Sequence, residues 1–208
     1  AAGEKVSVAE KKAVAKLPKK HSLTKDRSVC LHCGHTLQWY DLVPLVSWLS
    51  LGGKCRYCHK SIGTFEPLIE VGVAIFFVVS YMFWPTQLDT LPACLQFGIW
   101  LVAGVMFSIL FAYDKKWFLL PDVVTFPLIG LGAANALLFI ATSTSILPAV
   151  SSVAASCLIP SGLYYVIYVA SRHQWVGFGD VKLGLAMGLL LADWKLAILA
   201  LFLANLIG

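Results

Sequence analysis

Charge is what this sequence most lacks. Of its 208 residues only 13% are Asp, Glu, Lys or Arg, against 59% hydrophobic, and the mean hydropathy is +0.79. A soluble domain of this size cannot bury so much apolar surface, so the composition excludes an ordinary globular protein and points to a polytopic membrane chain. Nothing within Ala1 to Val29 reads as the apolar core of a signal peptide. A G-x-G-x-x-G is absent, which removes one familiar mark of a nucleotide pocket. Histidine is scarce, and His21, His32, His35, His59 and His173 all lie away from the apolar runs, so a Ser–His route has no place to assemble there.

What charge there is lies mostly at one end. Residues 1–60 hold 11 of the 16 Lys and Arg, within a net charge of +5. Ahead of hydrophobic spans such asymmetry orients a chain by the positive-inside rule; elsewhere it would suggest nucleic acid. The stretch Lys5 to Lys25 alternates Lys with Val and Ala, and reads as a solvated linker or a short surface helix near anionic headgroups. Basic–aromatic interleaving is sparse, so nucleic acid is not an expected partner.

Charged residues punctuate the rest, and the gaps between them measure candidate spans. Val71 to Leu88 is an uncharged run of 18, Thr90 to Tyr113 one of 24, and Val123 to Ser171 one of 49. The last is long enough for two crossings at about 20 residues each, with a turn at Thr142, Ser143, Thr144, Ser145 and Pro148. Leu183 to Ala192 reads as a short helix, and Leu196 to Gly208 as a second one that stops before it finishes crossing, so a truncated chain is expected. If residues 1–66 are cytoplasmic, 15 of the 16 Lys and Arg fall inside and only Lys195 outside. Trp117 and Trp175 then mark inner boundaries, Trp84 and Trp194 outer ones, and Asp114 and Asp180 share the cytoplasmic face.

Cys30-Leu-His-Cys33 and Cys55-Arg-Tyr-Cys58 are two C-x-x-C knuckles separated by 21 residues. Together they complete a tetrahedral four-thiolate zinc site, leaving His32, His35 and His59 outside the shell. The rival reading, a pair of disulfides, conflicts with a cytoplasmic location. Cys94 and Cys157 fall within spans, where a lone cysteine behaves as a small apolar residue.

An ionisable residue at a span is expensive, which makes Asp114 and Asp180 functional candidates. The plainer reading is that they cap helices or pair with Lys115, Lys116 and Lys182. Gly177 and Gly179 on either side of Phe178 would let the backbone bend and another element approach closely. Asp122, after Pro121 and before the apolar run, reads as a helix start whose carboxylate accepts a free N–H.

Cys30-x-x-Cys33, Pro44-Leu-Val-Ser-Trp-Leu-Ser-Leu-Gly-Gly-Lys-Cys55-x-x-Cys58 and Pro67-Leu-Ile-Glu70 resemble the cytoplasmic domain of bacterial type IV prepilin peptidases. Asp114, followed eight residues later by Asp122 in Leu119-Leu-Pro-Asp122, resembles that family's first catalytic segment. Gly177-Phe-Gly-Asp180-Val-Lys182 resembles its G-x-G-D segment. The landmarks keep the family's order from about residue 30 to about residue 190.

The resemblance implies an intramembrane aspartyl protease of the inner membrane, with Asp114 and Asp180 catalytic. It implies type IV prepilins or pseudopilins as substrates, cut after a Gly at the end of a short basic leader. Its bifunctional members, which share the full cysteine set, also N-methylate the new N-terminus using S-adenosylmethionine. Asp41, Glu66 and Glu70 are possible leader contacts, although both glutamates equally suit a helix N-terminus. A non-catalytic zinc-ribbon scaffold of a pilus or secretion system is the alternative. The expected architecture is an all-α polytopic membrane protein with a small cytoplasmic four-cysteine zinc-ribbon-like domain. Its expected parts are a basic cytoplasmic linker over 1–29, the zinc-binding domain over 30–66, and a transmembrane peptidase domain over 67–208.

Overall fold

Two C-x-x-C knuckles flank a short helical segment, and the knuckles themselves are built from turns. A computed structural model of the protein describes residues 28–30 and 32–207. The expected linker over 1–29 lies outside the described residues, apart from Ser28 and Val29. The chain divides into two units, one ending at Pro67 and one beginning at Leu68.

In the smaller unit both knuckles have the same construction. The first cysteine donates its N–H to the carbonyl five residues on, Cys30 to His35 and Cys55 to Lys60, both at 2.9 Å. It then accepts the N–H four residues on, from Gly34 at 2.8 Å and from His59 at 3.0 Å. Those closing residues have positive φ, 69° at Gly34 and 56° at His59. Glycine adopts that conformation freely, whereas a histidine holds it at a cost. Antiparallel bridges Val29–Thr36 and Lys54–Ser61 tie the flanks, and are the only β pairing among the described residues. Between the knuckles lie a 3-10 turn, Trp39–Leu42, and a short helix α1, Pro44–Ser50.

The larger unit is helical, with α2, Phe65–Met82, starting just ahead of the boundary, followed by α3 Leu91–Trp117, α4 Asp122–Thr142, α5 Ile146–Ala170, α6 Phe178–Leu191 and α7 Trp194–Ile207. Helices α2 to α5 are long and apolar enough to cross a membrane. The protein is therefore an all-α, multi-pass membrane protein. The 49-residue run breaks between Thr142 and Ile146, but Pro148 lies inside the first turn of α5, where no N–H bond is required of it. Charge boundaries mark where spans exist, not where helices end. Helix α2 starts early enough to carry Glu66 in its first turn, and α3 runs past Asp114 to put Lys115 and Lys116 in its last turn. Both placements suit the helix dipole.

Helix α6 is central, packed chiefly against α5 and α4, with no exposed residue from Asp180 to Ala192. Small residues allow this close packing. A side chain at Gly188 would overlap the Ser156 carbonyl of α5, and one at Gly184 would meet the Pro160–Ser161 backbone at 3.1 Å. On α4, Gly132 gives way in the same manner to Ala186 and Leu189. Three side chains then serve carbonyls at the far end of α6, where helix carbonyls run short of partners. Ser156 donates to Gly188 and Asn135 to Leu190, both at 2.8 Å, and Ser152 to Ala192 at 3.0 Å.

Candidate functional site

The four cysteine sulfurs all lie within 4.8 Å of one another, with Cys30 and Cys58 at 3.9 Å. A tetrahedral ion with Zn–S bonds of about 2.3 Å needs sulfur–sulfur edges of about 3.8 Å. The set fits such an ion, and among the described residues no histidine joins it. The backbone N–H groups of Cys33 and His32 pull the Cys30 thiol down to about 6. At Cys58 the Lys60 N–H favours the thiolate, but burial and the neighbouring sulfurs outweigh it and push the thiol up to about 11. Four sulfurs this close resist ionising together, and a cation would remove that conflict.

Asp41 braces this unit from within. Its side chain is 5% exposed and accepts from Arg56 Nε at 2.9 Å and from the Gln38 N–H at 3.2 Å. Burial alone would push its carboxyl up, but the Arg56 and Gln38 bonds outweigh that and hold it below the usual aspartate value. His35 lies against Tyr57 with ring centroids 3.6 Å apart.

The carboxylates are assembled differently. Asp114 sits in the last turn of α3, which ends as Phe118 turns left-handed (φ 49°) and donates its N–H to the Asp114 carbonyl at 2.8 Å. Asp180 sits in the first turn of α6, where its Oδ2 accepts the Gly177 N–H at 3.0 Å. Both line one cavity of about 290 Å³ whose other walls are Phe107, Leu110 and Phe111 of α3, Leu120 and Leu183. Asp114 is exposed and Asp180 half-buried. The plainer reading is thus partly true, since Asp180 does serve its helix start, but Lys182 pairs elsewhere.

The two glycines divide the work expected of both. Gly179 permits close approach, because a side chain there would meet Leu120 Cδ1 at 3.0 Å. Gly177 has φ −78°, a conformation open to any residue. Asp122 does start α4, but its charge is taken up by Lys182 Nζ at 2.6 Å, a partner that reasoning from local helix signals missed. The available sign was the pairing of two segments, an acid eight residues after Asp114 and a base two residues after Asp180.

Residues 6–84 match the family model described as the Bacterial Peptidase A24 N-terminal domain, and residues 100–208 that of the Type IV leader peptidase family. The chain is 33% identical over 190 residues to a prepilin leader peptidase/N-methyltransferase of Aeromonas hydrophila, covering 90% of this chain and 61% of the relative. It is 30% identical over 196 residues to a protein of the same name from Pseudomonas aeruginosa, covering 90% and 61%. A type 4 prepilin-like proteins leader peptide-processing enzyme of Escherichia coli is 33% identical over 171 residues, covering 81% and 60%. The chain therefore spans about three fifths of the length of these relatives. No solved structure matches it. The four cysteines fall in the first matched region and both cavity carboxylates in the second. With the second model alone matching more than half of its residues, the chain belongs to the type IV leader peptidase family.

Proposed function

We propose that this chain is the peptidase part of an aspartyl endopeptidase that removes the basic leader of type IV prepilins and pseudopilins. Asp114 and Asp180 would act at the cytoplasmic face of the bacterial inner membrane. One observation carries the reading: two carboxylates 66 residues apart in sequence line the same small, otherwise apolar cavity. A two-carboxylate hydrolysis needs one member ionised and the other protonated. The ionised member takes a proton from water, whose oxygen adds to the scissile carbonyl carbon, while the protonated member polarises the carbonyl oxygen. Return of a proton to the amide nitrogen then lets the C–N bond break. Which member carries the proton belongs to the pair rather than to either residue.

Cys30, Cys33, Cys55 and Cys58 would hold a structural zinc ion, with no open position for chemistry. The names of relatives that pair peptidase with N-methyltransferase support a second activity, methylation of the new N-terminus from S-adenosylmethionine. On this reading residues 1–66 are cytoplasmic, residues 30–66 form the zinc-binding domain, and residues 67–208 form the peptidase domain. The test is incubation of the purified protein with a prepilin in detergent, followed by mass spectrometry. Loss of the leader at a single bond is the expected result; an intact prepilin, with the protein folded, overturns the reading.

A further inference from the structure

The segment after Asp114 and the segment carrying Asp180 are fastened together at two points, and both points flank the carboxylates. One is apolar, the close packing of Leu120 on Gly179. The other is ionic, Lys182 Nζ donating to Asp122 Oδ1 at 2.6 Å. More than charge holds this lysine. Its ammonium lies 4.9 Å from the ring centroid of Phe126 on α4 and 5.4 Å from that of Phe178 on α6. Both are within cation–π reach, and the lysine side chain is only 20% exposed. An isolated surface ion pair contributes little. This one is partly shielded, walled by two rings, and joins the first turn of α4 to the second turn of α6.

We infer that Lys182 is a positioning residue for the carboxylate pair, with Asp122 as its anchor, an inference that rests on the peptidase reading above. The far end of α6 is held by Ser156, Asn135 and Ser152, eight or more residues from Asp180. The near end has the Leu120–Gly179 contact and the Lys182–Asp122 pair instead. Two residues beyond Asp180, Lys182 is turned by about 200° around the helix, and it does not line the cavity. It acts through the helix turn, not on the reacting atoms. The spacing of the two segments follows from this geometry. After Asp114 the chain reverses at Phe118, touches α6 through Leu120, and reaches Lys182 with Asp122.

The test measures kcat and KM for prepilin cleavage by the purified protein in detergent. It compares wild type with Lys182→Gln, Lys182→Arg, Asp122→Asn and the double variant Lys182→Gln/Asp122→Asn. A misplacement of about 1 Å can cost about 100-fold in rate, so each neutralising change is expected to lower kcat by about 10–100-fold. KM should stay near the wild-type value, and the double variant should be no worse than the poorer single one. Lys182→Arg should restore most of the rate, because it keeps the charge and the reach. Asp122 is largely exposed, so Asp122→Asn offers a test that does not risk the packing around Lys182. Full kcat in Lys182→Gln, losses that multiply in the double variant, or a raised KM at unchanged kcat would each overturn the inference. A wild type that leaves prepilin intact brings down the peptidase reading and this inference together. An active wild type beside a fully active Lys182→Gln brings down this inference alone.

Discussion

Four sulfurs meet within 4.8 Å because two turns of identical construction each deliver a pair, with only 21 residues between the knuckles. The two carboxylates meet because α3, α4 and α6 pack, and each comes singly from a helix end. The first centre is therefore a property of short-range hydrogen bonds, Cys30 with Gly34 and His35, Cys55 with His59 and Lys60. The second rests on helix packing, which along α6 extends as far as Gly188 against Ser156. A fault in a knuckle should stay local, whereas a fault anywhere along α6 should reach Asp180.

Metal removal is the strongest way to break that comparison. Structural zinc in small domains contributes about 10–16 kcal/mol of binding free energy that is also folding free energy. Chelation, or Cys55→Ser, should release one zinc per chain and expose residues 30–66 to protease. Helices α2 to α5 should stay inserted, since they satisfy their own backbone groups. Metal analysis with limited proteolysis is the measurement. A protein that holds no zinc when purified with its thiols protected would remove the premise.

Next come the carboxylates themselves. Asp114→Asn and Asp180→Asn should each reduce prepilin cleavage by about 10²–10⁴-fold, the usual contribution of a positioned acid or base. Zinc content and the detergent melting temperature should not change. Cleavage that survives in either variant at more than about a tenth of the wild-type rate would exclude a two-carboxylate mechanism.

The same contrast decides what the sequence could disclose. A C-x-x-C states its own geometry, so the cysteine cluster was legible from spacing, and the spans were legible from runs without charge. Helix ends were less so, because Glu66, Lys115 and Lys116 lie inside helices, at ends where the dipole favours them, and Asp114 lies inside one as well. That Asp114 and Asp180 face one cavity was legible only through resemblance; composition alone left both as plausible helix caps. The Lys182–Asp122 pair was hidden because it joins residues 60 apart through packing that no local pattern records. Local rules gave Asp122 its helix position and left Lys182 out of its surroundings.

The packing side of the comparison can be tested directly at Gly188. A methyl group there collides with the Ser156 carbonyl, so Gly188→Ala should destabilise the larger unit by about 1–3 kcal/mol, as overpacking does. Gly130→Ala on α4 is the control, since nothing stands within 4 Å of its added carbon. Melting temperatures in detergent should fall for the first and hold for the second, with cleavage falling alongside the first. Equal melting of both would mean that α5 and α6 yield more easily than their contacts suggest.

The smallest effect belongs to the local centre and comes from Asp41. Its carboxylate ties the segment before α1 to the second knuckle through Arg56 and the Gln38 N–H. Because Arg56 is 42% exposed, solvent screens the pair, and Asp41→Asn should weaken the unit by no more than about 1 kcal/mol. The pH dependence has a definite sign. A carboxyl held below its unfolded value stabilises the fold above that unfolded value and loses the contribution as pH falls through the folded one. Between pH 6 and 8 Asp41 therefore stays ionised, and the ratio of zinc release rates between Asp41→Asn and wild type should be flat. Timed transfer of zinc to a chelator across that window supplies the measurement. A ratio that changes with pH would show that Asp41 is not what braces the knuckle.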